Sequence, residues 1–307
     1  MKKLLITIFF LLIISSCAFG FMEINSKNAI LIDSSNGRIL YEKDANVAVK
    51  PASTTKIMTA ILAFENLGLQ DTATASQTAI SSVPVDGSSA YIQVGETFTV
   101  EQLLECLLIV SGNDAANILA EKVGGTTDNF VNMMNAKATE IGCTSTHFVN
   151  ANGLDNDNHN SSAHDLAIMY RYAYNLFPEF RRIMQIHSFT LPNTNIYQKE
   201  ERKFTNTNRL MTDQPNSVGK DGFSYYYPAC NGGKTGYTSG AKNCLVASAS
   251  NGNVTLIACV LGGEQNLDGS SQRFKDTISL FDYGFQRIVK KELVSSRRIN
   301  RFINRKR

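Results

Sequence analysis

Pro51-Ala52-Ser53-Thr54-Thr55-Lys56-Ile57-Met58-Thr59-Ala60 places a serine three residues ahead of a lysine. From Thr54 to Leu67 the residues are helix formers, with Ile57, Ile61 and Phe64 on an apolar face and Gly68 ending the run. Ser53 therefore falls at or near a helix N-terminus, and its i+3 neighbour stands on the same face, which brings the Lys56 amine within reach of the Ser53 hydroxyl. A serine hydroxyl is a poor nucleophile until a base takes its proton, and lysine is that base in the Ser-Lys variant of the pairing. The same tetrapeptide also fits a helix-capping serine followed by a solvated lysine. Residues elsewhere decide between the two.

Two further tripeptides bear on that choice. Val100 to Val110 has helical periodicity, a second helix begins at Asn113, and Ser111-Gly112 forms the break between them. Ser111 can relay a proton to a leaving group, and the Asn113 amide can bond both a peptide carbonyl and Lys56. Lys234-Thr235-Gly236 immediately precedes a pair of strand-like runs. On an edge strand, Lys234 and Thr235 can hold a carboxylate while Gly236 lets the backbone approach the ligand. Lys56 accepts a proton only when neutral. Burial and a second cation both favour the neutral amine, and Lys234 is the candidate cation. The backbone N–H groups of Ser53 and Tyr237 are the candidate oxyanion donors.

The rest of the chain supplies a frame. Ala29-Ile30-Leu31-Ile32 and Arg38-Ile39-Leu40-Tyr41 flank Asn36-Gly37, a hairpin signal, and Cys244 to Ala249 and Val254 to Val260 flank Asn251-Gly252-Asn253. Asp71 to Gly95 reads as mostly loop, with a short strand at Ala90 to Val94. Helices are expected over Asn113 to Val123, Thr127 to Ile141, Asp165 to Leu176 (stopped before Pro178) and Ser271 to Ile288. Asn193 to Asp221 is expected to hold one strand and a long connection. Strands at both chain ends with helices between them predict an α/β fold: an antiparallel sheet from both ends, flanking helices and an inserted all-helical subdomain. His147 to His164 is dense in turn formers and reads as an ordered loop. His159 and His164 fit hydrogen bonding within it better than a metal site, and Asp155 and Asp165 fit ordering it.

A net charge of +3 gives no electrostatic footprint for nucleic acid. Met1-Lys2-Lys3, the apolar run Leu4 to Ile14 and the small residues up to Gly20 read as an export signal, too short for a bilayer span. Cleavage after Gly20 fits Ala18 and Gly20. Ile14-Ser15-Ser16-Cys17 also fits lipidation at Cys17. Either route takes the chain outside the cytoplasmic membrane. Five cysteines follow the signal without a C-x-x-C pair, which predicts buried free thiols rather than a disulfide framework or a zinc site.

Ser53-x-x-Lys56, Ser111-Gly112-Asn113 and Lys234-Thr235-Gly236, in that order in an exported chain, resemble the motif set of penicillin-binding proteins. Gly87-Ser88-Ser89, Thr146-His147-Phe148-Val149-Asn150, His164-Asp165-Leu166-Ala167 and Gly233 to Thr238 also resemble blocks of the low-molecular-mass serine D-alanyl-D-alanine carboxypeptidases, over roughly Asn28 to Arg287. The resemblance implies a penicillin-binding/β-lactamase-like fold in a catalytic domain over 21–289, between a signal at 1–20 and a basic tail at 290–307. It implies an acylated Ser53, a general base Lys56, a second motif in Ser111 and Asn113, and a third in Lys234, Thr235 and Gly236, with Tyr237 beside it. The implied substrate is the D-Ala-D-Ala end of a peptidoglycan stem peptide, β-lactams are the implied inhibitors, and no metal or other cofactor is implied. A β-lactamase would need fast deacylation, and the Glu-x-x-Leu-Asn loop of class A enzymes has no counterpart here. A catalytically silent wall-binding protein would be expected to carry a damaged motif. Many members continue into a β-rich domain and an amphipathic anchor, whereas Lys290 to Arg307 mixes basic with apolar residues and fits either contact with an anionic membrane or a solvated tail.

Overall fold

Asn28–Asp33 (β1) is buried along almost its whole length, as a strand covered on both faces must be. Its alternation divides the core: Ile30 and Ile32 belong to one apolar cluster, Ala29 and Leu31 to another. A computed structural model describes residues 22–199, 201–215, 218, 222–264 and 271–304. The expected signal and Cys17 lie outside the described residues.

The remaining strands are β2 (Ile39–Lys43), β3 (Thr72–Thr74), β4 (Thr97–Thr99), β5 (Ser188–Leu191), β6 (Arg202–Thr205), β7 (Cys230–Thr238), β8 (Lys242–Asn251) and β9 (Val254–Gly263). The helices are α1 (Lys56–Asn66), α2 (Gln77–Ser81), α3 (Val100–Glu105), α4 (Asn113–Gly124), α5 (Thr127–Glu140), α6 (Ala163–Leu176), α7 (Pro178–Met184), α8 (Arg209–Thr212) and α9 (Gln272–Asn304). Five strands form one sheet in the order β2-β1-β9-β8-β7. All its pairings are antiparallel, so both chain ends build it, and β7 is left at an edge. Phe274 and Phe281 of α9 pack on one face with Leu31, Leu245 and Val260. The other face carries Val246, Ile257 and Cys259 against α1 and the helices between β2 and β7. Helix α1 is buried from Lys56 to Ala63, the mark of a central helix. Cys106, Cys143, Cys244 and Cys259 are buried free thiols, and Cys230 is a half-buried one.

The inserted part is not wholly helical, because β3 pairs with β4 and β5 with β6 in two small sheets. Ala90 to Val94 is not a strand. The Ala90 and Ile92 N–H groups are taken by the Asp114 carboxylate at 2.9 and 3.2 Å, which leaves no ladder to join. Helix α6 ends at Leu176, before Pro178 as expected, and Pro178 then opens α7 at the first helical position, where its missing N–H has no cost. The stretch after Asn193 contributes β6 to a hairpin whose first strand, β5, precedes it, and then the short α8. Helical backbone continues in α9 to Asn304.

Candidate active site

The chain enters α1 through a 3-10 turn, Ala52–Thr55. Ala52 lies in the left-handed region at φ +49°. Gly153, also left-handed at φ +88°, is pressed against this turn so closely that a Cβ on it would stand 1.9 Å from the Ala52 carbonyl oxygen. Ser53 sits on the turn and Lys56 is the first residue of α1. The Lys56 Nζ is 3.0 Å from Ser53 Oγ, 2.7 Å from Asn113 Oδ1 and 2.6 Å from the Asn152 carbonyl oxygen. A neutral amine has two N–H bonds and one lone pair. Two carbonyl-type oxygens can only accept, so they take the N–H bonds and leave the lone pair for the Ser53 hydroxyl proton. Burial, seconded by the charge of Lys234, holds the Lys56 amine well below the usual lysine range, against an opposing pull from Asp114.

The second motif follows a change of helix type. Cys106–Val110 widens to π-helix and ends at Ser111, whose φ of +68° is left-handed. This bulge, of a kind frequent at functional sites, turns the backbone so that Ser111 lines the cleft. The Asn113 N–H donates to the Ser88 carbonyl at 2.8 Å. Asp114, 1% exposed, accepts from the Ser89 hydroxyl at 2.5 Å besides the two N–H groups already named. Asn113 and the wall at 88–92 are thereby held as one unit.

The third motif lies on β7. A Cβ on Gly236 would stand 3.0 Å from the Ser53 nitrogen and 3.1 Å from Ala52 Cβ, so glycine is what allows this strand to run against the turn. That approach brings the segments carrying the Ser53 and Tyr237 N–H groups together. Thr235 Oγ1 is 2.6 Å from Thr207 Oγ1, and the Arg273 guanidinium donates to the Gly236 carbonyl at 3.0 Å. Lys234 is fully buried and donates to the Thr235 carbonyl at 2.9 Å. Burial, then the Arg273 charge, push its pKa down to about 7.

Ser53, Ser111, Asn113, Thr235, Gly236 and Tyr237 line one cleft of about 570 Å³. Lys56 and Lys234 stand behind its wall, without exposed surface. All eight residues singled out in the sequence therefore converge. Two hydroxyls and a guanidinium in the cleft lining, Thr207, Thr235 and Arg273, with the Lys234 amine behind the wall, suit a carboxylate, and Ser53 beside the Lys56 amine suits acyl transfer. Sequence reading missed Asp114, Asn152, Thr207 and Arg273. Only Asp114 carried a signal, an acidic residue in a helix's first turn directly after Ser-Gly-Asn.

The polar loop braces the cleft. His159 Nδ1 accepts from the Val149 N–H at 3.1 Å, so Nε2–H donates to Thr55 Oγ1 at 2.8 Å. Burial above all pushes its pKa down to about 4, and the ring stays neutral. Asp155 accepts from the Thr238 hydroxyl and the Gly240 N–H at 2.6 and 3.0 Å, tying the loop to the β7–β8 turn. Asp165 accepts from the Ser145 N–H and the Thr146 hydroxyl.

Residues 15–265 match the family model described as D-alanyl-D-alanine carboxypeptidase. The chain belongs to this family. It is similar to the D-alanyl-D-alanine carboxypeptidase DacF of Bacillus subtilis, 36% identical over 268 residues, covering 85% of this chain and 62% of that protein. It is also similar to DacB2 of Mycobacterium tuberculosis, 35% identical over 258 residues, covering 83% and 81%. Thus the chain spans under two thirds of the Bacillus relative's length and most of the mycobacterial one's. Among solved structures it resembles a D-alanyl-D-alanine carboxypeptidase from M. tuberculosis (TM-score 0.74, 33% identity, 85% of this chain and 91% of that one). The DD-transpeptidase of Streptomyces K15 is similar too (TM-score 0.73, 30% identity, 86% and 98%). The family match over residues 15–265 takes in the five-stranded sheet and the insert alike. Among the described residues no helix is long and apolar enough to cross a membrane.

Proposed function

We propose that the chain is a serine D-alanyl-D-alanine carboxypeptidase that removes the terminal D-Ala from peptidoglycan stem pentapeptides through an acyl-enzyme on Ser53. The observation that carries this reading is the Lys56 amine, buried, biased toward neutrality and set 3.0 Å from the Ser53 oxygen. Lys56 takes the hydroxyl proton as Ser53 Oγ bonds to the carbonyl carbon of the penultimate residue. The Ser53 and Tyr237 N–H groups receive the developing oxyanion. As the C–N bond breaks, the leaving nitrogen takes that same proton from Lys56 through Ser111, which returns the amine to its neutral form, and D-Ala departs. Water then attacks the ester, giving its proton to Lys56, and Ser53 is restored. Asn113 orients the peptide, while Lys234 and Thr235, with Thr207 and Arg273, hold the terminal carboxylate.

Met1 to Gly20 exports the chain in this reading. β-Lactams acylate Ser53 as mimics of the same peptide, and the basic tail after Val289 lies on an anionic membrane surface. The deciding experiment is incubation with a fluorescent penicillin and a D-Ala-D-Ala pentapeptide, followed by mass spectrometry of the labelled peptide. Ser53→Ala is expected to abolish both labelling and D-Ala release. Retained labelling in that variant overturns the assignment.

A further inference from the structure

One exposed side chain beside the cleft is held in a conformation that its own chemistry resists. Tyr91 has φ +57°, a region bulky L-residues avoid, and is 71% exposed. Its neighbours fix it there. The Tyr91 N–H donates to Ser89 Oγ at 2.8 Å, and that hydroxyl donates in turn to Asp114. The Ala90 and Ile92 N–H groups on either side also end on Asp114. From the opposite direction Arg202 donates to the Tyr91 carbonyl at 3.3 Å and is itself clamped by Glu96 at 3.0 and 2.9 Å. Three buried charged side chains on separate segments thus converge on the backbone around one solvent-facing ring. Strain that the surroundings over-determine in this way gathers at ligand clamps.

The ring has a backing. It lies nearly parallel to Phe204, at 14° with centroids 6.5 Å apart, and Phe204 meets Phe189 at 5.4 Å. Val94, three residues after Tyr91, and Ile196, between β5 and β6, are also more than 40% exposed. The shelf continues from the cleft, since Gly87 and Ser88 of the same loop line it. Three residues of chain span at most about 11 Å, so Tyr91 lies within that distance of Ser88 on the cleft wall.

We infer that Tyr91, backed by Phe204, is a stacking shelf for a sugar ring of the glycan strand that carries the stem peptide. The inference rests on the proposed carboxypeptidase reading, which makes a peptide borne on a saccharide the natural occupant of the cleft. A pyranose offers a face of C–H groups to the electron-rich face of an aromatic ring while its hydroxyls stay hydrated. A protein partner fits the surface less well: a few side chains fall far short of the roughly 20–30 residues a side that a stable protein interface uses. A ring immobilised beforehand loses little freedom on binding.

The test compares hydrolysis of a free pentapeptide with that of the same pentapeptide carried on its N-acetylated disaccharide. Tyr91→Asn removes the ring yet tolerates the left-handed backbone, and Tyr91→Phe keeps the ring. Tyr91→Asn is expected to lower kcat/KM for the glycan-bearing substrate roughly three- to tenfold through KM, the size of one aromatic contact, with the free peptide unchanged. Tyr91→Phe is expected to behave as the parent does. Equal losses on both substrates, no loss on either, or a Phe variant as weak as the Asn one overturns the shelf. If the parent cleaves neither substrate, the carboxypeptidase reading fails by itself. Calorimetric titration of the disaccharide-peptide into Ser53→Ala, with and without Tyr91→Asn, then decides the shelf: weaker binding in the double variant supports it, and equal binding overturns it.

Discussion

The Asn152 carbonyl oxygen stands 2.6 Å from the Lys56 Nζ, closer than the Ser53 hydroxyl at 3.0 Å. With Asn113 Oδ1 on the other side, it fixes the direction of the amine's lone pair. A methionine at 56 keeps the length and loses the base. Lys56→Met is expected to slow covalent penicillin labelling by about 10²–10⁴-fold, the usual worth of a positioned base. Labelling kinetics read it, with circular dichroism to establish that the variant is folded.

Lys234 titrates near 7 in the free protein because burial and Arg273 disfavour its charge. A bound carboxylate favours the charged form and raises that pKa. Above about pH 7 the free amine is mostly neutral and the occupied one protonated, so binding takes up a proton; well below pH 7 both are protonated and none is taken up. Titration of a D-Ala-D-Ala peptide into Ser53→Ala, in buffers of different ionisation enthalpy at pH 8 and pH 6, measures this directly. Uptake at pH 8 that shrinks at pH 6 is expected, and release at pH 8 contradicts the assignment of Lys234 to the carboxylate.

Two glycines separate a catalytic constraint from a folding one. At Gly236 a new Cβ meets the Ser53 nitrogen at 3.0 Å and Ala52 Cβ at 3.1 Å, and φ is not left-handed, so β7 can yield slightly at its edge. Gly236→Ala is expected to fold but to acylate about 10²-fold more slowly, because a shift near 1 Å at the reacting centre costs that much. Gly153 combines φ +88° with a 1.9 Å clash on backbone, which no side-chain movement relieves. Gly153→Ala is expected to lose most of its soluble yield, and thermal melts of the two variants together check the contrast.

The three motifs were legible because each is local: an i+3 pair, a break between helices, a glycine on a strand. Asn36-Gly37 and Asn251-Gly252-Asn253 announced the hairpins in the same way, and the two runs they join do pair. Asn152, Thr207 and Arg273 were not legible. They reach the cleft from a loop, a connection and a helix far apart in sequence, and no periodicity marks a single polar residue. Ala90 to Val94 misled for a related reason, since its apolar alternation serves a loop whose N–H groups are claimed by Asp114 on another element. Pro178 did mark the end of α6 at Leu176, but it gave no sign of α7, because a proline that follows one helix also suits the first position of the next.

Glu96 and Arg202 form a buried ion pair at 2.9 Å, with side chains 0% and 5% exposed. Burial pushes the Glu96 pKa up, but hydrogen bonds from Arg202, Thr194 and the Gln93 N–H outweigh it, and the net direction is below the ordinary 4.5. Arg202→Met strands this carboxylate in the interior and is expected to cost about 3–5 kcal/mol at pH 7 by urea unfolding. Adding Glu96→Gln is expected to recover a large part, because the stranded charge rather than the missing attraction carries most of that loss. The sign with pH follows from a depressed carboxylate: its stabilisation is present above the unfolded pKa and fades as pH falls through the folded one. The gap between parent and Arg202→Met is therefore expected to narrow below about pH 4.5. A gap that holds constant down to pH 3 would mean that packing of Arg202 against the Tyr197 and Phe98 rings, not the ion pair, holds the β5–β6 hairpin to the wall of the cleft.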